Sequence, residues 1–227
     1  MHKLRTHCIR CGECCMKSSP TLQANDLPLV RGGFLRMEQL YTIRQGEMVR
    51  DNVHGGIVPA DQEMIKVRES KVRKGYCIFY DEEKKACAIY EKRPAQCAAL
   101  KCWDPSEFME VYGSPKLHRQ DVIESGVFLG LMEEQEKRCS YALLQEHVSR
   151  IPEDGEKAVE SLLDLLKFDF HLRPFLVQKL GLRQEETDFF FGRPLIETIV
   201  GFGLKVQRQA DGGFLLTRSN TKTTGRG

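Results

Sequence analysis

The sequence predicts an α+β protein. Residues 1–110 read as a loop-rich, cysteine-bearing metal-binding domain with short strands, and residues 111–227 as a mainly helical portion ending in a β-hairpin. Three observations carry that expectation. Eight of the nine cysteines fall within the first 102 residues. Short runs of β-branched and aromatic residues, bounded by glycine and polar clusters, fill the same half, as short strands do. Beyond Gly113-Ser114-Pro115 the apolar spacing changes to the three-and-four pattern of helices.

The elements follow in order. Residues 1–20 form a compact polar loop rich in cysteine, with Gly12 to let the backbone turn. Asp26 offers a helix N-cap, Pro28 suits the first turn, and Gly32-Gly33 stops the helix. Leu40–Ile43 and Met48–Arg50 read as strands around Arg44–Glu47, with Gly46 in the turn, and Met64–Val67 as a further strand. Tyr76–Tyr80 and Ala86–Tyr90 flank the polar run Asp81-Glu82-Glu83-Lys84-Lys85, which predicts a hairpin. Pro94 suits the first position of a helix reaching Leu100. Asp104-Pro105 and Gly113-Ser114-Pro115 mark a linker.

Asp121 to about Ser149 reads as one long helix, weakened by Gly126 and Gly130. Val159, Leu162, Leu163 and Leu166 repeat at helical spacing. Pro174–Leu180 reads as a separate helix with Gly181 at its C-terminal cap, and Pro194–Phe202 as another. Leu204–Gln209 and Phe214–Thr217 flank Asp211-Gly212-Gly213, a strong turn signal for the terminal hairpin. Ser219–Gly227 reads as a polar tail.

Composition excludes several classes of function. A chain of 227 residues, 41% hydrophobic and 29% charged, can bury one good core or two small ones. Its formal charge of +2 provides no global field to recruit nucleic acid or an anionic membrane. No apolar run approaches the ~20 residues of a membrane span. His2, Lys3 and Arg5 are not followed by an apolar segment and a small-residue cleavage site, so no signal peptide is read. The expected compartment is the cytoplasm, where thiols stay free for metals and disulfides are rare. An odd count of nine cysteines also sits poorly with a closed disulfide framework. No Ser–His–Asp set, phosphate loop or carboxylate pair points to a catalytic chemistry.

The cysteines do speak of chemistry. Cys8, Cys11, Cys14 and Cys15 form C-x2-C-x2-C-C, and Cys77, Cys87, Cys97 and Cys102 follow about sixty residues later. A C-x2-C turn brings two thiolates to one side, and the spacing serves zinc and iron–sulfur centres alike. Adjacent Cys14 and Cys15 are awkward, because extended backbone points neighbouring side chains to opposite faces. Either the backbone bends there, or the two serve different ions, or one is spare. Cys77 and Cys87 would occupy the two arms of the hairpin. Cys97 falls in the first turn after Pro94, where a helix N-terminus favours the thiolate. Cys102 lies near the end of that helix. Two four-sulfur centres, one per block, and a single mixed centre both fit the spacing.

Residues 1–110 carry 18 Lys+Arg against 15 Asp+Glu, a mildly basic balance around Arg5, Arg10, Lys17, Arg93 and Lys101 that would offset thiolate charge. His7 is expected to face solvent, Cys139 to act as a small buried apolar residue, and Arg93 to pair with a carboxylate or backbone carbonyls.

The run Cys8–Cys15, then Cys77-Ile78-Phe79-Tyr80, then Cys87-Ala88-Ile89-Tyr90-Glu91-Lys92-Arg93-Pro94-Ala95-Gln96-Cys97, resembles the CxxCxxCC cysteine-cluster family over residues 5–103. The resemblance implies a zinc- or iron-chelating domain with Cys8, Cys11, Cys14, Cys15, Cys77, Cys87 and Cys97 as chelators. The chain departs from the family pattern at Ala98-Ala99-Leu100-Lys101-Cys102. One similar branch, the flagellin lysine methylases, is associated with an iron–sulfur centre, which tilts the expectation from zinc toward iron–sulfur. The chain has no glycine-rich strand–turn–helix for a methyl donor.

The leading expectation is therefore a metal-binding protein with a cysteine-ligated iron–sulfur cluster or zinc, in a structural, accessory or electron-transfer role. A second reading is a metal-dependent enzyme, such as a protein-modifying one, with its substrate pocket between the centre and the C-terminal helices. A third is a zinc-stabilised adaptor that binds a protein partner through Phe189–Phe191 or the terminal hairpin.

Overall fold

The computed structural model describes residues 6–210 and 212–219. Arg5, Asp211 of the expected turn and residues 220–227 of the expected tail lie outside the described residues. In chain order the elements are α1 (Leu27–Arg31), β1 (Leu40–Ile43), β2 (Met48–Arg50), β3 (Ile57–Pro59), β4 (Met64–Val67), β5 (Tyr80–Asp81), β6 (Ala86–Cys87), α2 (Ala95–Ala99), α3 (Ser106–Gly113) and α4 (Arg119–Val122). Then come α5 (Gly126–Cys139), α6 (Tyr141–Asp154), α7 (Glu156–Leu180), α8 (Thr187–Phe191), α9 (Leu195–Thr198), β7 (Leu204–Arg208) and β8 (Phe214–Arg218). The strands pair β1 with β4, β2 with β3, β5 with β6 and β7 with β8, so the α+β expectation holds. No helix among the described residues is long and apolar enough to cross a membrane. The chain forms two compact units, Met1–Tyr41 with Met64–Glu124, and Thr42–Glu63 with Ser125–Gly227.

In the first unit, residues 20–23 form an extended segment that the sequence reading missed. Leu22 N–H donates to Ile65 O at 2.8 Å, and Leu117 N–H donates to Leu22 O at 3.1 Å, so β4 and the 115–117 segment flank it. Leu22, Leu35, Leu40 and Ile65 are fully buried there, beside nearly buried Leu117. Asp26 precedes α1 as expected but makes no side-chain cap bond to it. Its carboxylate instead accepts the Gln23 and Ala95 amides, both at 2.8 Å.

In the second unit α6 packs on α7, with Gly155 at φ 55 turning the chain between them. Tyr141, Leu144, Leu162, Leu166, Leu195 and Ile199 form its core. The long helix expected from Asp121 to Ser149 is broken twice, at the extended residues 123–125 and again at Ser140, whose hydroxyl oxygen accepts the Leu143 N–H at 3.2 Å and caps α6. The break expected before Pro174 does not occur. Leu162, Leu165, Leu166, Asp169, Arg173 and Leu176 lie at helical spacing on both sides of it and are all buried. That continuous stripe carries α7 past a residue lacking an N–H. Gly181 then ends the helix at φ 69, as read.

Phe189, Phe190 and Phe191 are 0%, 4% and 0% exposed, which removes them as a docking surface for a protein partner. The Phe190 ring stacks on Phe128 at 4.7 Å, so the aromatic run belongs to the core. The terminal hairpin forms in the register Val206↔Leu216.

The second unit also buries charge. Glu47 is fully buried, with its carboxylate bonded to the Arg193 guanidinium and accepting the Arg44 N–H. Arg44, 1% exposed, donates to Glu136 at 3.0 Å and to Cys139 O at 2.9 Å. Gln135 and Arg173 both donate to Asp169 Oδ1, while its Oδ2 accepts the Leu195 amide at 2.9 Å. Such groups stay buried because each has partners.

Candidate metal centre

The first cysteine block is coiled by a turn. Met16 N–H donates to Gly12 O at 3.0 Å and Ser18 N–H to Cys14 O at 3.3 Å. The bend brings the sulfurs of Cys14 and Cys15 to 3.9 Å, so these neighbours do not face apart. Gly12 opens the turn at φ 75, and a Cβ there would run into the Tyr80 ring. Glycine is thus required twice, for the backbone angle and for the close approach.

The second block is laid against the first by backbone bonding. Cys77 N–H donates to Cys15 O at 2.7 Å. The hairpin arms are shorter than read, and Cys77 lies ahead of β5, bridged to Glu69. Cys87 ends β6, opposite Tyr80. Cys97 is the third residue of α2, whose entry is fixed from outside. Asp26 accepts the Ala95 amide, and Gln96 Oε1 accepts the Thr21 amide at 2.8 Å.

Five sulfurs from the two blocks act on one another. Cys15 hydrogen-bonds with both Cys14 and Cys87, which pushes its own thiol up. Those bonds pull the thiols of Cys14 and Cys87 down to about 6, with the positive charge of Arg93 adding to the effect. Burial pushes Cys77 up to about 11. Burial also raises Cys97, and the negative charge of Cys77, Cys14 and Cys87 adds to it. The neighbouring sulfurs and the Arg93 charge thus favour the thiolate at Cys14 and Cys87, the form that binds metal.

Around these sulfurs lie Arg10, Tyr90 and Arg93. Arg93 sits with its guanidinium 3.9 Å from the centroid of the Tyr90 ring and bonds to the Tyr90 carbonyl at 3.5 Å. Arg10 N–H donates to Cys8 Sγ at 3.4 Å, and its guanidinium lies 4.0 Å from the same ring centroid.

The donor chemistry suits a soft metal. A tetrahedral ion with Zn–S bonds of about 2.3 Å sets its sulfurs roughly 3.8 Å apart, close to the 3.9 Å between Cys14 and Cys15. Among the described residues, no group of three or more His, Cys, Asp or Glu side chains is arranged to hold an ion. The sulfurs are gathered, and a bound metal would have to draw them closer.

The remaining candidates stand elsewhere. Cys8 and Cys102 are exposed, and Cys11 is partly buried with its sulfur near enough to Tyr80 to act on it electrostatically. Cys139 is buried in the second unit's core, its thiol directed at Leu165 O. His7 is exposed, as expected. All nine cysteines are free thiols. Sequence reasoning missed Asp26 and Gln96 as the residues that place α2, since nothing local marks a bond spanning 69 or 75 positions.

A family model named CxxCxxCC, described as "Putative zinc- or iron-chelating domain", matches residues 7–125, just over half of the chain. The chain belongs to the CxxCxxCC family. Every cysteine of both blocks lies inside the CxxCxxCC match, and metal binding is the property that membership supports. No curated protein and no solved structure matches the chain.

Proposed function

We propose that this chain holds one inorganic centre on thiolates drawn from both cysteine blocks, and that the centre is an iron–sulfur cluster, with zinc as the second reading. The observation that carries this is the meeting of Cys14 and Cys15 with Cys77, Cys87 and Cys97 across some sixty residues of sequence. Their mutual influence favours a mixed centre over two separate ones. Five sulfurs exceed the four that one tetrahedral ion takes, which favours a centre of more than one metal atom. Cys8 and Cys11 extend the candidate ligand set, with exposed Cys102 at its margin, and the coiled first loop is the part that would close.

An iron–sulfur cluster would supply one-electron chemistry, whereas zinc would supply a closed structural knot. A structural share of the role is supported by how little regular structure surrounds the cysteines. The strands β5 and β6 have two residues each, and α2 has five. Such a region gains folding free energy from its metal. Nine free thiols suit a reducing compartment, and we place the protein in the cytoplasm on that ground.

The test is anaerobic purification, followed by metal and sulfide analysis and visible absorption. Iron and acid-labile sulfide with charge-transfer bands are the expected result. Stoichiometric zinc without sulfide would transfer the proposal to zinc. Failure to retain either metal, even after reconstitution, would overturn it.

A further inference from the structure

We propose that Tyr90, gripped by the guanidinium groups of Arg10 and Arg93, is a positioning residue that sets the metal affinity of the centre by holding the segment that carries Cys8 and Cys11 against the second cysteine block. The inference rests on the metal-centre reading and goes beyond it, because Tyr90 supplies no ligand atom.

The ring collects two cations. Arg10 lies 4.0 Å and Arg93 3.9 Å from its centroid. Two guanidinium groups around one ring repel each other, and the attraction of each for the ring opposes that repulsion, beside the bond of Arg93 to the Tyr90 carbonyl and of Arg10 to Glu91. The Arg10–Glu91 pair adds little, being 3.5 Å long with side chains 57% and 84% exposed. Arg10 makes this contact from a backbone at φ 55, a region that L-residues rarely occupy. Contacts outside the residue help hold it there, and the ring, with the exposed Glu91 carboxylate beside it, reaches its side chain from the second block.

The contact matters because of where the two arginines stand. Arg10 is adjacent to Cys11 and bonded through its N–H to Cys8 Sγ at 3.4 Å. Fixing Arg10 therefore fixes the first two sulfurs of the run. Arg93 stands four residues before Cys97, and its charge acts on Cys14, Cys87 and Cys97. Arg93 Nε is buried and has no hydrogen-bond partner among the described residues, which leaves a donor for a sulfur drawn toward it. Groups that orient ligands in this way commonly govern metal affinity ten- to a hundredfold.

The experiment compares the full-length chain with its Y90F, Y90L and R10M variants. Each is loaded with cobalt(II) alone and challenged with a chelator, and the metal-free forms are melted in parallel. Y90F keeps the ring, so wild-type affinity is expected. Y90L should lose about ten- to a hundredfold in cobalt affinity, with weaker thiolate-to-cobalt absorption. R10M should lose affinity in the same direction by less. Metal-free melting temperatures should stay close to wild type throughout.

Wild-type affinity in Y90L would overturn the proposal, as would a fall in metal-free stability large enough to account for the lost binding. If Y90L fails to fold, R10M decides, and full affinity there is fatal to the idea. Absence of both cobalt binding and iron–sulfur reconstitution in the wild-type chain is a different result and refutes the metal-centre reading itself.

Discussion

Asp26 and Ala95 are 69 positions apart, yet the Ala95 amide donates to Asp26 Oδ1 at 2.8 Å. The second oxygen of the same carboxylate accepts the Gln23 amide, also at 2.8 Å. One buried side chain thus fastens the segment after the first cysteine block to the first turn of the helix carrying Cys97. D26A should destabilise the protein by about 1–3 kcal/mol, the cost of stranding buried donors, measured by urea denaturation. Burial raises the Asp26 carboxyl above its ordinary 3.8, against the pull of the two amides. The folded state therefore keeps this proton to higher pH than the unfolded chain does, and the contribution of Asp26 declines as pH rises through its raised value. In D26N that decline should vanish, so the advantage of wild type over D26N should shrink from acid toward neutral pH.

Arg193 and Glu47 form an unequal pair, the first with a side chain 39% exposed and the second fully buried. R193M should cost about 3 kcal/mol, because it leaves a carboxylate buried without its cation. E47Q should cost about 1 kcal/mol, since the arginine can turn toward water. Burial already raises the Glu47 carboxyl, with Arg193 opposing. The penalty of R193M should therefore narrow as pH falls and Glu47 takes up a proton. Equal penalties, independent of pH, would show that the pair is not anchored as described.

Gly192 and Gly33 separate two costs. Their φ angles are 70 and 71, but a Cβ on Gly192 would meet Arg44 Cγ at 2.9 Å, whereas one on Gly33 meets nothing among the described residues within 4 Å. G33A should carry only the left-handed backbone penalty, about 1 kcal/mol. G192A should exceed it by a further ~1–3 kcal/mol or more, from overpacking against Arg44 together with ψ −175, which with its φ is a combination open essentially to glycine alone. Thermal melts of the two variants test the difference.

Metal retention should depend on the gathered sulfurs. C14S and C87S should lower metal content and melting temperature together, because a metal present at a hundredfold its Kd stabilises by about 2.7 kcal/mol. C102S, at an exposed position in the turn after α2, should change both far less. Metal analysis beside calorimetry gives the comparison, and a C14S protein with full metal content would contradict the assignment.

Much of this was legible. Glycine and proline punctuation located Leu40–Ile43, Met48–Arg50, Met64–Val67 and the terminal hairpin, because each is a short apolar run bounded by turn residues. Cysteine spacing singled out both blocks. Ser140 was overlooked because the apolar spacing runs through it and only its side-chain cap breaks the helix. Pro174 misled in the opposite sense, since packing along α7 outweighs one missing backbone bond. The Arg193–Glu47 and Asp26–Ala95 contacts left no local trace. They join residues 146 and 69 positions apart, and single-sequence periodicity reports only neighbours.

Cys8, Cys14 and Cys102 all present their side chains to solvent. In air, such accessible thiols on separate molecules would cross-link, and covalent multimers would appear on a non-reducing gel. Exposure to dioxygen during preparation would thus consume the groups needed for loading, and the way a sample was handled would decide whether it arrives competent or spent.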